Sequence, residues 1–150
     1  QGQRDAFIQR QKDLQRTVDY LLTRDDIDPE RLAYFGISSG ANAGSAATAI
    51  EDRFAVSILV AGGLIPNPDL PEIHAPNFAP RVRVPTLLIS GRQDFMIPYE
   101  ASQRPLFEFL GTPEEHKALK VFEAGHVPDS RDIIRESNAW LDRYLGPVRR

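Results

Sequence analysis

The motif Gly36-Ile37-Ser38-Ser39-Gly40 is the part of the sequence with the clearest capacity for chemistry. It follows a short apolar run, and Gly-x-Ser-x-Gly in that position presents a serine on a sharp strand-to-helix turn with its hydroxyl exposed. So tight a turn requires neighbours without side chains that would strike the adjoining strand and helix, which here are Gly36 and Gly40. Ser38 is therefore the candidate nucleophile. The alternative is a strand-to-helix corner whose small residues serve packing alone.

Asp94 and His126 could activate this serine. A serine hydroxyl is a weak nucleophile until a base removes its proton, and an imidazole is a better base when a carboxylate fixes its tautomer. Asp94 follows an apolar run that ends at Gly91, and His126 follows a later apolar run and Gly125. The pattern predicts that His126 takes the proton of Ser38 and that Asp94 orients His126.

Each assignment has a simpler alternative. Asp94 could only cap a turn, because aspartate readily accepts hydrogen bonds from nearby backbone amides, and His126 could be a surface histidine. The two other histidines are weaker candidates for the base. His116 lies among charged residues, and His74 lies in a Pro-rich stretch where it could touch a substrate.

Composition limits the partners of the chain, whose 150 residues are expected to fold as one domain over 1–150. Its 18 basic and 21 acidic residues are mixed, so we expect neither nucleic acid nor a membrane as a partner. The absence of cysteine excludes disulfides and thiolate metal sites. We expect a cytoplasmic location. The chain begins at Gln1 and enters a helix almost at once, so we also expect an upstream portion.

Helical and strand patterns alternate along the chain, which indicates an α/β fold with a mostly parallel sheet. Helices are expected at about 4–23, 41–51, 98–110 and 130–145, and strands at about 32–35, 54–61, 86–90 and 119–122. The Pro-rich stretch 64–85 cannot hold a long helix or a central strand, so a surface excursion over one rim is expected. Because parallel sheets gather functional residues beyond the carboxyl ends of their strands, the three candidate residues should converge.

The segments around these residues resemble a known family. Gly36-Ile37-Ser38-Ser39-Gly40, Gly91-x-x-Asp94 and Gly125-His126 resemble the active-site segments of α/β-hydrolase-fold serine hydrolases, in the dienelactone-hydrolase and prolyl-oligopeptidase-like branch. Four further segments are similar to the hydrolase domain found C-terminal to some bacterial serine/threonine kinases, namely 13–21, 77–82, 110–117 and 140–146. The resemblance implies a carboxylesterase with a small-molecule ester substrate and no metal or organic cofactor.

The same resemblance implies the role of each residue. Ser38 attacks the acyl carbon, His126 acts as base and then as acid, and Asp94 orients His126. The backbone N–H of Ser39 holds the oxyanion. Loops beside the site are expected to form an apolar rim that contacts the substrate through Leu64, Ile65, Phe95, Met96 and Ile97.

The chain departs from the family pattern in its number of strands. The family sheet has about eight strands, and the loop after the third supplies a second oxyanion amide; only the C-terminal half of the fold is expected here. Losing one oxyanion donor costs roughly 2.7–4 kcal/mol of transition-state stabilisation, so weak esterase activity is expected. The strand at 32–35 would be an open edge, which predicts a homo-oligomer or association with a missing N-terminal half.

Two other functions remain open on the sequence alone. A non-catalytic interaction or regulatory module of a larger, kinase-fused protein would explain the missing oxyanion element. A serine peptidase of the prolyl-oligopeptidase type would use the same three residues, although nothing in the sequence resembles a propeller or a charged site that anchors peptides.

Overall fold

The computed structural model describes residues 2–65 and 70–147, and within these ranges four parallel strands form one sheet. The strands lie in chain order across the sheet, as β1 (Ala33–Ile37), β2 (Val56–Val60), β3 (Thr86–Gly91) and β4 (Lys117–Phe122). The α-helices of the described part are α1 (Gly2–Leu21), α2 (Ser39–Ile50), α3 (Arg104–Phe109) and α4 (Ser130–Leu145). The expected α/β fold with parallel strands and flanking helices is confirmed.

The central strands β2 and β3 are buried along their whole length. Their apolar residues alternate between two hydrophobic clusters, which is why both strands are mainly apolar and lack a polar face. Leu59 and Leu88 face the cluster that includes Leu106 of α3, whereas Ile58 and Ile89 face the cluster built on α4. Helices therefore cover both faces of the sheet at its centre.

Two elements differ from their expected boundaries. The first strand runs on to Ile37 and α2 begins at Ser39, so the turn between them is shorter than the motif predicted. The helix expected at 98–110 is divided into a single π-helical turn (Tyr99–Gln103) and α3. Pro105 is the second residue of α3 and has no N–H to donate, which explains why a regular helix does not run through this point.

The Pro-rich stretch forms three short 3₁₀ turns, Pro71–Ile73, Ala75–Asn77 and Ala79–Arg81, and its part at 66–69 lies outside the described residues. The prediction of a purely surface excursion is wrong for its last part. Ala79 and Val82 are fully buried and pack in the same cluster as the central strands. Tight turns of this kind carry small and branched apolar side chains into the core without needing a long helix.

The outer edge of β1 has no partner strand among the described residues. The carbonyl of Leu32 accepts from Ala55, and the N–H of Ser38 donates to Val60, so alternate residues of β1 bond to β2. The remaining backbone N–H and C=O groups of β1 point outward from the open edge of the sheet. The side chains of Phe35 and Ile37 on this strand are exposed. That a second copy or an upstream half covers this edge stays a prediction.

No helix in the described ranges is long and apolar enough to span a membrane.

Candidate active site

Ser38 is the single residue between β1 and α2, and its backbone is strained. Its φ of 52° and ψ of −113° lie in a region that non-glycine residues rarely adopt. Two backbone hydrogen bonds hold it there: its N–H donates to Val60 O at 2.8 Å, and its carbonyl accepts from Asn42 N at 2.9 Å. The turn therefore fixes the hydroxyl of Ser38 at the carboxyl end of the sheet.

The two glycines of the motif differ in their surroundings. A Cβ on Gly36 would lie 2.6 Å from the backbone carbonyl of Gly40, so any side chain at position 36 would open the turn. A Cβ on Gly40 would meet no atom within 4 Å, so the prediction that this position must also lack a side chain is wrong. The hydroxyl of Tyr34 donates to Gly40 O at 2.7 Å. Burial raises the pKa of Tyr34 and keeps this donor protonated.

The structure brings Ser38, Asp94 and His126 together. His126 Nε2 lies 2.8 Å from Ser38 Oγ, and His126 Nδ1 lies 2.8 Å from Asp94 Oδ2. The side chain of His126 is 16% exposed and that of Asp94 is 0% exposed. A carboxylate can only accept, so Nδ1 carries the proton and Nε2 is left free to accept from the serine hydroxyl.

Asp94 accepts four hydrogen bonds. Its Oδ1 accepts from the backbone N–H groups of Met96 and Ile97, both at 2.9 Å. Its Oδ2 accepts from Gln103 Nε2 at 2.8 Å, in addition to His126. Asp94 can therefore both cap the turn and orient His126, because Oδ1 accepts from the loop amides and Oδ2 contacts the imidazole.

Backbone contacts tie the loop that carries Asp94 to the loop that carries His126. Arg92 N donates to Phe122 O at 2.8 Å, and Gln93 N donates to Ala124 O at 2.9 Å. Gly91 packs so closely that a Cβ there would overlap the carbonyl oxygen of Gly125. The separation of acid and base is therefore set by backbone geometry.

Ser39 is the first residue of α2, so no carbonyl of the helix can accept from its N–H. The N-terminus of a helix also carries partial positive charge, which favours an anion near this amide. The arrangement gives one donor where a negative oxygen would form beside Ser38.

The residues expected on the apolar rim divide into two groups. Phe95 is 83% exposed, Met96 61% and Ile65 51%, so these side chains are available to a ligand. Leu64 and Ile97 are buried, which corrects the prediction that they lie on the rim. Ile97 packs over Gly63, where a side chain would meet it, and Leu64 belongs to the main core cluster.

Sequence reasoning missed two residues of the site. Val127 directly follows His126 and is exposed at 44%, so it extends the rim from a third loop; its place after the base was a usable signal. Gln103 gave no signal, because its contact with Asp94 depends on the π-helical turn. The other histidines lie elsewhere: His116 contacts Tyr144, and His74 Nε2 is buried with no partner among the described residues.

A cavity of about 300 Å³ lies beside Ser39, between α1, α2 and the Pro-rich stretch. Its walls are mainly apolar and include Phe7, Ile65, Ile73 and Phe78. The side chains of Ser38, Asp94 and His126 do not line it. The cavity is thus next to the candidate nucleophile rather than on it.

A strained serine between a strand and a helix of a parallel sheet, with a histidine and an aspartate on later loops, is the arrangement of the α/β-hydrolase fold. Residues 2–136 match the family model described as serine hydrolase (FSH1), and the chain belongs to that family. No curated protein sequence matches the chain.

Solved structures share the fold. A putative dienelactone hydrolase from Klebsiella pneumoniae superposes with a TM-score of 0.77 and 20% identity, over 92% of this chain and 62% of its own. The α/β hydrolase GrgF from Penicillium sp. sh18 has a TM-score of 0.76 and 17% identity, over 94% of this chain and 73% of its own. An acetyl xylan esterase from Paenibacillus sp. R4 has a TM-score of 0.73 and 18% identity, over 89% of this chain and 51% of its own. The chain thus spans about half the length of several similar structures. Its resemblance to kinase-linked hydrolase domains stays a prediction.

Proposed function

We propose that the chain is a carboxylesterase that forms an acyl-enzyme on Ser38. The observation that carries this proposal is the continuous set of contacts from Ser38 Oγ through both nitrogens of His126 to Asp94 Oδ2. This geometry matches the arrangement that activates a serine: nucleophile, base and a carboxylate that orients the base.

The proposed reaction has two halves, formation of the acyl-enzyme and its hydrolysis, and the contacts among Ser38, His126 and Asp94 act in both. As Ser38 Oγ attacks the acyl carbon, His126 Nε2 accepts the hydroxyl proton, and Asp94 stabilises the imidazolium. The carbonyl oxygen becomes negative and accepts from Ser39 N–H. His126 then gives its proton to the departing alcohol oxygen, which leaves the acyl group on Ser38. A water molecule then attacks that ester as His126 Nε2 takes its proton, and His126 returns this proton to Ser38 Oγ as the acid departs.

Exposed apolar side chains support an ester with an apolar part as the substrate class. Ile65, Phe95, Met96 and Val127 come from three loops, and the last three directly follow or nearly follow Asp94 and His126 in sequence. Exposed apolar side chains on the loops that carry buried polar groups are typical of a site for an organic ligand. The similar structures of an acetyl xylan esterase and a putative dienelactone hydrolase also support ester chemistry.

Phe95→Ser is expected to reduce the preference for longer acyl chains. The ratio of kcat/KM for p-nitrophenyl hexanoate to that for the acetate should fall about three- to tenfold, because the longer chain loses apolar contact. Phe109→Ser is the matched control, since Phe109 is 50% exposed and ends α3, away from the carboxyl ends of the strands. An equal fall for both esters in Phe95→Ser would argue against an acyl-binding rim.

Turnover of p-nitrophenyl acetate by the wild type and by Ser38→Ala tests the proposed function. We expect turnover above the buffer rate that is lost in Ser38→Ala. A chain that hydrolyses no ester and is not labelled by a fluorophosphonate would instead support the interaction or regulatory module. Cleavage of peptides in preference to esters would support the peptidase.

A further inference from the structure

We infer that Gln103 is a positioning residue that holds the carboxylate of Asp94 in line with His126. The inference deepens the proposed function and rests on it, since it concerns the same acid–base pair. Gln103 is the last residue of the π-helical turn Tyr99–Gln103, and its side chain reaches back to the loop after β3.

The amide of Gln103 uses both of its N–H groups inside the protein. Nε2 donates to Asp94 Oδ2 at 2.8 Å and to Ile97 O at 2.7 Å, and the residue is 0% exposed. The reverse orientation of the amide would place Oε1 against two acceptors. The contacts therefore fix which atom faces Asp94.

The orientation leaves Oε1 of Gln103 buried without a partner among the described residues. An unsatisfied buried oxygen is unfavourable, and such groups require an explanation. The hydrogen bond from Nε2 to the carboxylate supplies one, because a bond to a charged group is stronger than one between neutral groups.

The turn that carries Gln103 is itself anchored. Ser102 Oγ donates to Leu64 O at 2.8 Å, and Leu64 N donates back to Ser102 O at 3.1 Å. Pro98 O accepts from both Ser102 N and Gln103 N. The side chain of Gln103 therefore starts from a fixed backbone, and its amide is preorganised toward Asp94.

The chemical consequence falls on the step in which His126 becomes charged. Asp94 Oδ2 must remain aimed at Nδ1 when the serine proton moves to Nε2. Gln103 is the second partner of that oxygen, whereas the loop amides bond Oδ1. Without the amide donor, His126 is the remaining partner of Oδ2 among the described residues, so the carboxylate can tilt about Oδ1 and lose alignment. The effect should appear in kcat rather than in KM, since Gln103 is buried and has no contact with the rim.

Gln103→Met tests the inference because it keeps the length of the side chain and removes the donor. We expect kcat for p-nitrophenyl acetate to fall about ten- to a hundredfold with KM within about twofold. In proton NMR of the uncomplexed protein, the far-downfield Nδ1–H signal of His126 should be present in the wild type and should shift or broaden in Gln103→Met. Thr112→Val is the matched control: it removes another buried bond from a side chain to a backbone carbonyl, that of Thr112 Oγ1 to Val84 O at 2.9 Å, and should leave the signal and kcat near wild type.

The NMR comparison keeps the inference separate from the proposed function. If no ester is turned over, the proposed function fails, while the Nδ1–H signal still shows whether Gln103 aligns the pair. An unchanged signal in Gln103→Met, its absence from the wild type, or the same change in Thr112→Val would each overturn the inference. If Gln103→Met does not fold by circular dichroism, Gln103→Leu, which also removes the donor and has a branched end similar in shape to the amide, is measured in the same way.

Discussion

His126→Ala is expected to lower kcat/KM for p-nitrophenyl acetate by at least about 10³-fold, to near the buffer rate. Among the described residues, the base within hydrogen-bond distance of Ser38 Oγ is His126 Nε2. No other side chain of the described ranges is placed to take the hydroxyl proton. Asp94→Asn should be less severe, because a histidine in the wrong tautomer can still reach the productive one, whereas a missing histidine cannot. The measurement is initial-rate kinetics at saturating and limiting ester.

The other two histidines provide controls for this result. His116 contacts Tyr144, and His74 lies in the Pro-rich stretch, where its buried Nε2 has no hydrogen-bond partner among the described residues. His116→Ala and His74→Ala should both retain activity close to that of the wild type. Inactivation by either substitution, with His126→Ala still active, would mean that the base has been assigned to the wrong residue.

Gly91→Ala is expected to lower kcat by at least about 10²-fold, because small misplacements of reacting groups are costly. Its methyl group would overlap the carbonyl oxygen of Gly125, so the loops that carry Asp94 and His126 would have to separate. Gly125→Ala is the matched control from the other side of the contact, where a Cβ would meet no atom within 4 Å.

The two glycine variants should be compared by kcat and by thermal unfolding. Gly125→Ala should remain close to wild type in both, whereas Gly91→Ala should lose activity beyond any loss of stability. Equal kcat values for Gly91→Ala and the wild type would show that the backbone contact does not set the alignment of the acid and the base.

Sequence reasoning located Ser38, Asp94 and His126 because each follows the end of an apolar strand, where a parallel sheet collects its functional residues. The motif around Ser38 added a specific turn. These signals are local in the chain, so they can be read without knowing the fold. That the three side chains act together in catalysis stays a proposal, which the kinetic tests address.

The features that sequence reasoning missed depend on tertiary contacts. Pro105 divides the expected helix, and the resulting turn carries Gln103 to Asp94, which no local pattern could indicate. Ile97 looked like a rim residue from its place beside Phe95, but it packs over Gly63 in the folded chain. Whether a loop side chain such as Ile97 or Phe95 is buried or exposed depends on which residues of other segments pack against it in the folded chain.

The most direct test of an activated Ser38 is mass spectrometry after exposure to a fluorophosphonate. A serine whose proton is held by His126 reacts with this reagent, whereas an inert serine does not. We predict a single adduct that maps to Ser38, is lost in Ser38→Ala and forms far more slowly in His126→Ala. An adduct on Ser39, labelling that persists in Ser38→Ala, or no labelling of the folded wild type would contradict the assignment of Ser38 as the nucleophile.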